Sequence, residues 1–275
     1  MPHRDAAGTR YWLDAEVVFD RSLVGDGVLD LLQEVLVESA PQWSSELRVW
    51  RGPHDQRTIS SGQTGALAAA VCEASTERGA TYKVLVEHYG KPPYERMLGS
   101  AELRGSSREL TVVISIDEWV MAPLGAKKIF GNSIELQVRR SKVEGRACKD
   151  WIWTVFNALC EQLSPAWGSV RAPDEYWAKV MSEQPRIEAV GRDFGRYLPG
   201  LFWLNFFGDR YRSLIGENSL LSAPASLTEP VGDGILIALD SDPTRWDSPG
   251  YIEMEKQVRQ HLGAHFFFSK SENDR

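Results

Sequence analysis

Apolar residues recur along this chain at two spacings, and the spacing assigns most of the elements. Over Arg10 to Phe19, Tyr11, Leu13, Ala15, Val17 and Phe19 fall on alternate positions, which predicts a strand with one face inward. The next segment, opened by Gly25 or Asp26, carries Val28, Leu31, Leu32, Val35 and Leu36 at i, i+3, i+4, i+7 and i+8. That is the stripe of a helix lying on a sheet, and Pro41 ends it. A strand over Glu46 to Trp50, a loop over Gly52 to Ser61 and a helix over about Thr64 to Glu77 follow, with Gly79 closing the helix. Tyr82 to Glu87, Met97 to Leu103, Leu110 to Ile116 and Ile129 to Val138 then read as strands. Gly90-Lys91-Pro92-Pro93 and Gly105-Ser106-Ser107 separate the first three, so an antiparallel meander is the economical topology.

After Arg146 the helical period returns. Over Arg146 to Leu163, Cys148, Trp151, Ile152, Val155 and Leu159 mark a core face. Trp153, Phe156 and Cys160 widen it, which places this helix between two layers as the joint of two halves. A Gly168 to Arg171 connector leads to a helix over about Asp174 to Ser182. The densest apolar stretch comes next: Tyr197, Leu198, Leu201, Phe202, Trp203, Leu204, Phe206 and Phe207, with Pro199-Gly200 as a turn inside it. Leu201 to Phe206 is expected as a short central strand, because five aromatic side chains this close must be buried or form an interface. Asp209 then caps a helix to Ile215 that Gly216 stops. Gly232-Asp233-Gly234 is a tight turn before a strand over Ile235 to Leu239. Ser248 and Pro249 fit the cap and first position of a helix that buries Tyr251, Met254, Val258 and Leu262, carries a Glu255–Arg259 pair and stops at Gly263. His265 to Phe268 reads as a last strand.

This order defines an α+β fold, largely antiparallel sheets with helices packed on their faces. It is expected as one domain over residues 8–270, divisible into 8–142 and 143–270, with 271–275 a disordered tail. At 275 residues the chain is long enough to bury about three quarters of its unfolded surface without a disulfide framework.

Composition narrows the function classes. A net charge of −7 argues against direct nucleic-acid binding and is compatible with a basic protein partner. Cys72, Cys148 and Cys160 have no metal-ligand spacing and form an odd set, so they read as reduced, buried thiols. The N-terminus lacks the apolar core of a signal peptide, and no apolar run approaches the ~18 residues of a membrane span, which places the protein in the cytoplasm.

Catalytic constellations are missing from the pattern. His3, His54, His88, His261 and His265 are scattered, and Gly263 breaks the helix between the last two. Glu87 and His88 are adjacent on a strand and point to opposite faces. There is no GxxxxGK[ST], no GxGxxG between a strand and a helix, and no GxSxG. The expectation is a protein without enzymatic activity, cofactor or metal.

The unusual charge feature lies between Glu229 and Lys256, where seven acids face only Arg245 and Lys256 in sequence. Asp233, Asp240, Asp242 and Asp247, with Trp246, are the candidate partner-binding residues. Carboxylates placed where phosphates would lie can fill the basic groove of a nuclease, and aromatic anchors drawn from Trp43, Trp50, Trp119 and Trp246 would slow dissociation.

The segments PGLFWLNFFG (199–208), RSLIGENSLLSAP (212–224) and GDGILIALDSDPTRWDSPGY (232–251) together resemble the immunity protein 52 family of bacterial polymorphic-toxin systems, most clearly over Tyr197 to Phe268. The resemblance implies an immunity protein that binds and neutralises a cognate toxin in the cytosol. In such systems, which include type VI secretion, the toxin is commonly a nuclease. Two other classes fit the same residues. One is an adaptor or chaperone of a secreted effector; the other is a hydrolase with an acid-rich site around Asp233, Asp240 and Asp247.

Overall fold

The computed structural model describes residues 11–21, 23, 27–39, 46–52, 55–60, 65–69, 94–106, 110–121, 132–140, 146–180 and 197–268. Its frame is a ten-stranded sheet in which every pair is antiparallel. The strands are β1 (Tyr11–Phe19), β2 (Glu46–Gly52), β3 (Asp55–Ser60), β4 (Tyr94–Ser106), β5 (Leu110–Met121), β6 (Asn132–Arg140), β7 (Trp167–Arg171), β8 (Leu204–Phe207), β9 (Leu227–Val231) and β10 (Gly234–Ala238). Across the sheet they run β3-β2-β4-β5-β6-β1-β7-β8-β10-β9. The fold is α+β, as the element order predicts. β1 lies between β6 and β7, joining the described strands before residue 141 to those after residue 166.

Alternation along β1 decides what covers each face. Leu13, Ala15, Val17 and Phe19 point to a first face with Ile134, Leu136 and Val138 of β6, Leu204 and Phe206 of β8, and Leu236 and Ala238 of β10. Helix α1 (Val28–Ser39) and helix α2 (Arg146–Leu163) pack there. Ile152, Val155, Phe156, Leu159, Cys160 and Leu163 of α2 are fully buried, so its wide apolar arc is spent on this face. In α1 the buried stripe is Val28, Leu29, Leu32 and Val35. Leu31, expected in the stripe, is instead 37% exposed.

The second face is covered around β7, β8 and β10 by helices α3 (Pro173–Val180), α4 (Asp209–Ile215), α5 (Glu217–Leu221) and α6 (Pro249–Leu262), together with Leu198, Leu201 and Phe202. These three strands are buried on both sides, so their sequences show no polar–apolar alternation, and β10 reads as a continuous apolar run. The aromatic stretch divides between the faces: Trp203 and Phe206 go to the first core, Phe202 and Phe207 to the second, all fully buried. Asn205, buried among them, accepts from Phe202 N at 2.8 Å and donates to Phe202 O at 2.7 Å, so its amide is satisfied by the turn it closes.

Several boundaries differ from the sequence reading. The connector over Gly168 to Arg171 is strand β7, and the loop over Gly52 to Ser61 contains β3. The strand expected over Leu201 to Phe206 begins only at Leu204. Gly208 occupies the cap position of α4, with Asp209 inside the helix and paired to Arg212 at 2.8 Å. His265 to Phe268 is a 3-10 turn (Ala264–Phe266) followed by a bridge from Phe267 to Leu198. Arg259 donates to the carbonyls of Phe267 and Phe268, while Glu255 binds Lys179, so the expected Glu255–Arg259 pair is replaced by contacts that tie α6 to its surroundings. Gly216 and Gly263 end their helices with φ of 101° and 102°, and Ser248 caps α6 through Tyr251 N. Helix is described over 66–69. The rest of the helix expected to Glu77, the strand Tyr82 to Glu87, the pair Glu87 and His88, Cys72 and the tail 271–275 lie outside the described residues.

Candidate functional site

The acid-rich candidate residues sit where β10 leaves the sheet. The indole Nε1 of Trp203 donates to the carbonyl of Asp240 at 2.7 Å, fixing the exit of the strand to the core. Asp240 Oδ1 accepts from Asp242 N at 3.0 Å, and Asp242 Oδ1 accepts from Thr244 N at 2.9 Å and Thr244 Oγ1 at 2.7 Å. Asp242 thereby caps a single 3-10 turn (Pro243–Arg245), and Ser248 N donates back to Arg245 O at 2.8 Å before α6 begins. Asp240 and Asp242 thus hold the turn through backbone amides that their own carboxylates accept.

Charge in the turn is less one-sided than the sequence suggests. Lys149 of α2 donates to Ser241 O at 3.2 Å, and Arg245 lies 3.7 Å from Asp240 Oδ2. Burial pushes the Asp242 carboxyl up, but its bonds to Thr244, with Lys149 and Arg245 nearby, outweigh that and hold it below its ordinary range. It stays ionised. Asp247 is exposed, and Trp246 is half-buried against the second core.

Asp233 is elsewhere. It lies in the β9–β10 turn, at the opposite end of β10, so at about 3.3 Å per residue it is roughly 20 Å from Asp240. There the turn rests on α2, with Gly232 against the backbone of Glu161, and Asp233 Oδ1 is sealed from solvent without a hydrogen-bond partner. Burial, with Asp233 second, pushes the Cys160 thiol well above its usual pKa, leaving it neutral and inert. The structure thus brings Asp240, Asp242, Trp246 and Asp247 together and leaves Asp233 out.

A second polar assembly lies on the second face of the sheet. Arg171 and Glu16, both 2% exposed, form a buried ion pair at 2.9 Å, and Arg171 Nη1 donates to Ser169 Oγ at 2.7 Å. The Tyr176 ring covers the guanidinium at 4.1 Å. Burial alone would lower the Arg171 pKa; Glu16 foremost, with Tyr176, Glu135 and Asp14, holds it above the usual value. One turn along α3, Lys179 donates to Glu175 Oε1 and to Leu201 O at 2.7 Å and pairs with Glu255 at 2.7 Å. Tyr251 also donates to Glu175 Oε1 at 2.7 Å. Burial raises the Glu175 pKa, against the pull of Lys179 and Tyr251; burial and Glu175 raise that of Tyr251.

Sequence reasoning missed this assembly because it read Arg171 as part of a connector. The signal was Asp14 and Glu16 on the non-apolar side of an otherwise buried first strand.

Two remaining groups carry no chemistry. His261 Nε2 lies 3.0 Å from Ser219 O and 3.2 Å from Ser222 Oγ. A carbonyl only accepts, so Nε2 holds the proton and is no base for Ser222, whose hydroxyl donates to Asn218 O. His265 stacks on Phe266, away from His261. Among the described residues, no group of three or more His, Cys, Asp or Glu side chains could hold a metal ion, and no helix is long and apolar enough to cross a membrane.

The class defined by these elements is an α+β protein with one antiparallel sheet layered by helices on both faces around its C-terminal strands. No family model and no curated protein matches the chain. Among solved structures, the Pseudomonas aeruginosa T6SS protein PA0821 aligns over 97% of this chain and 87% of its own, at 12% identity and a TM-score of 0.47. A likeness of that size carries no functional argument.

Proposed function

We propose that this protein is a non-enzymatic immunity protein that binds a cognate nuclease-type toxin in the cytosol and holds it inactive. The observation that carries the reading is the acidic turn over Asp240 to Asp247, anchored to the core by Trp203 and locked by its own caps. A turn ordered before binding loses little entropy on docking, so its charge is available as affinity. Asp242 and Asp247 present carboxylates to a basic groove, steering the encounter, while Trp246 supplies an aromatic edge. The resemblance of residues 197–268 to immunity protein 52 supports the same assignment, since two of its three segments build β8, β10 and this turn.

The test is a titration of the protein into the toxin domain encoded beside its gene, following nuclease activity and complex mass together. Stoichiometric loss of activity with a stable complex is the expected result. A stable complex with full activity would instead identify an adaptor, and no complex would end the proposal.

A further inference from the structure

Helix α6 carries one large apolar residue that its core does not use. Tyr251, Val258 and Leu262 are buried in the second core, whereas Ile252, the next residue round the helix from Tyr251, is 53% exposed. Lone apolar residues at a surface are common and mean nothing by themselves. The place of this one is what matters. Ile252 N donates to Ser248 O at 3.0 Å, so the residue stands one helical turn after the cap. Helical side chains lean towards the N-terminus, and Ile252 therefore covers the surface over Ser248 and Pro249, where the acidic turn enters the helix.

Charge flanks it on the same end. Asp247 and Glu253 are both exposed, and neither is in an ion pair among the described residues. Glu253 Oε1 accepts only from the neutral amide of Gln257, at 3.1 Å. Lys256, also exposed, borders the far side one turn on. Beneath, Tyr251 donates to Glu175 at 2.7 Å and Glu255 pairs with Lys179 at 2.7 Å, which fixes this end of α6 to α3. An apolar side chain held out from a rigid element, with carboxylates at its rim, has the make-up of an interface anchor: it loses its water on docking while the rim steers the approach.

We propose that Ile252 is the apolar anchor of the partner contact, on a face that continues the acidic turn onto α6 through Asp247, Pro249 and Glu253. The inference rests on the immunity reading and adds the chemistry of the partner: a protein whose basic groove has an apolar pocket beside it. Nucleic acid does not fit this face, because its phosphates would meet the two free carboxylates. The division of labour follows from the groups: carboxylates act on association and are screened by salt, and the anchor acts on dissociation and is not.

Binding kinetics of the full chain with the toxin domain encoded beside its gene, at low and high salt, test this. Ile252→Ala suits an exposed helix position and keeps the fold. It should speed dissociation about tenfold, by the same factor at both salt concentrations, and leave association unchanged. Leu31→Ala, on α1 across the sheet, should behave as the parent. A complex that forms but dissociates no faster in Ile252→Ala, or an equal effect of Leu31→Ala, would overturn this inference and leave the immunity reading standing. No complex with the parent protein would end both. A dimer of the protein alone that Ile252→Ala abolishes would assign the face to a second copy and overturn the proposal.

Discussion

Replacing Arg171 with Met is the sharpest test of how the second face is held. The change removes the guanidinium paired with Glu16 and keeps most of the side-chain volume beneath Tyr176. Glu16 and Arg171 are both 2% exposed, so water offers little screening for the charge left behind. Breaking a buried pair from one side typically costs about 3–5 kcal/mol. Replacing both partners by apolar residues is milder, because the Glu16 charge is no longer left behind. Urea unfolding at pH 8 of the unmodified protein, R171M, E16L and E16L/R171M, with matched m values, measures this. R171M should lose about 3–5 kcal/mol, and the double variant should recover at least about 2 kcal/mol of it. The sign with pH is fixed as well. In R171M the folded pKa of Glu16 rises above its unfolded value, so protonation restores stability and the deficit shrinks as pH falls from 8 towards 5. A loss under about 1 kcal/mol in R171M, or a double variant no better than the sum of the singles, would refute the argument.

Further outcomes follow from local contacts. Asp242→Ala removes the cap bonds to Thr244 and should cost about 0.5–2 kcal/mol. Because the folded Asp242 pKa is depressed, that contribution is present above the unfolded pKa and lost as pH falls through the folded one, so melting temperatures of variant and parent should converge in acid. Gly234→Ala would drive a methyl into the Phe206 ring and the Phe207 carbonyl, and chemical denaturation should show a loss of about 1–3 kcal/mol. Reversing charge at Asp240, Asp242 and Asp247 together should weaken toxin binding more at low salt than at high salt, and equal affinity across the salt series would remove the turn from the interface.

Much of the fold is legible in the sequence because burial is one-sided where the pattern is clear. β1 alternates because Leu13, Ala15, Val17 and Phe19 fill its first face while Asp14 and Glu16 lie on the second, α2 buries Ile152, Val155, Phe156 and Leu159 of its stripe, and the Ser248-Pro249 and Gly263 signals bound α6 correctly. Legibility fails where burial is two-sided or where tertiary contacts decide. β7 carries Gly168 and Ser169 between Trp167 and Val170, so no period marks it, yet all five residues are buried. Its Gly168 is required by α2, whose Phe156 ring lies 3.0 Å from where a Cβ would be. The acidic turn was visible as composition, but the sequence could not place Lys149 beside it or Asp233 at the far end of β10. The Glu16–Arg171 pair spans 155 positions, a separation that local pattern does not reach.

The position of β1 has a consequence for how the chain is made. It leaves the ribosome before both of its partners, and one of them, β7, ends only at Arg171. At about 5–20 residues per second, some 150 further residues take roughly 8–30 s to synthesise. Throughout that interval one edge of β1 can be closed by β6 at most, and the other carries unpaired amides and carbonyls beside Val17 and Val18. The nascent chain therefore has a vulnerable stage that the finished protein conceals, ended by a short strand that follows directly on α2.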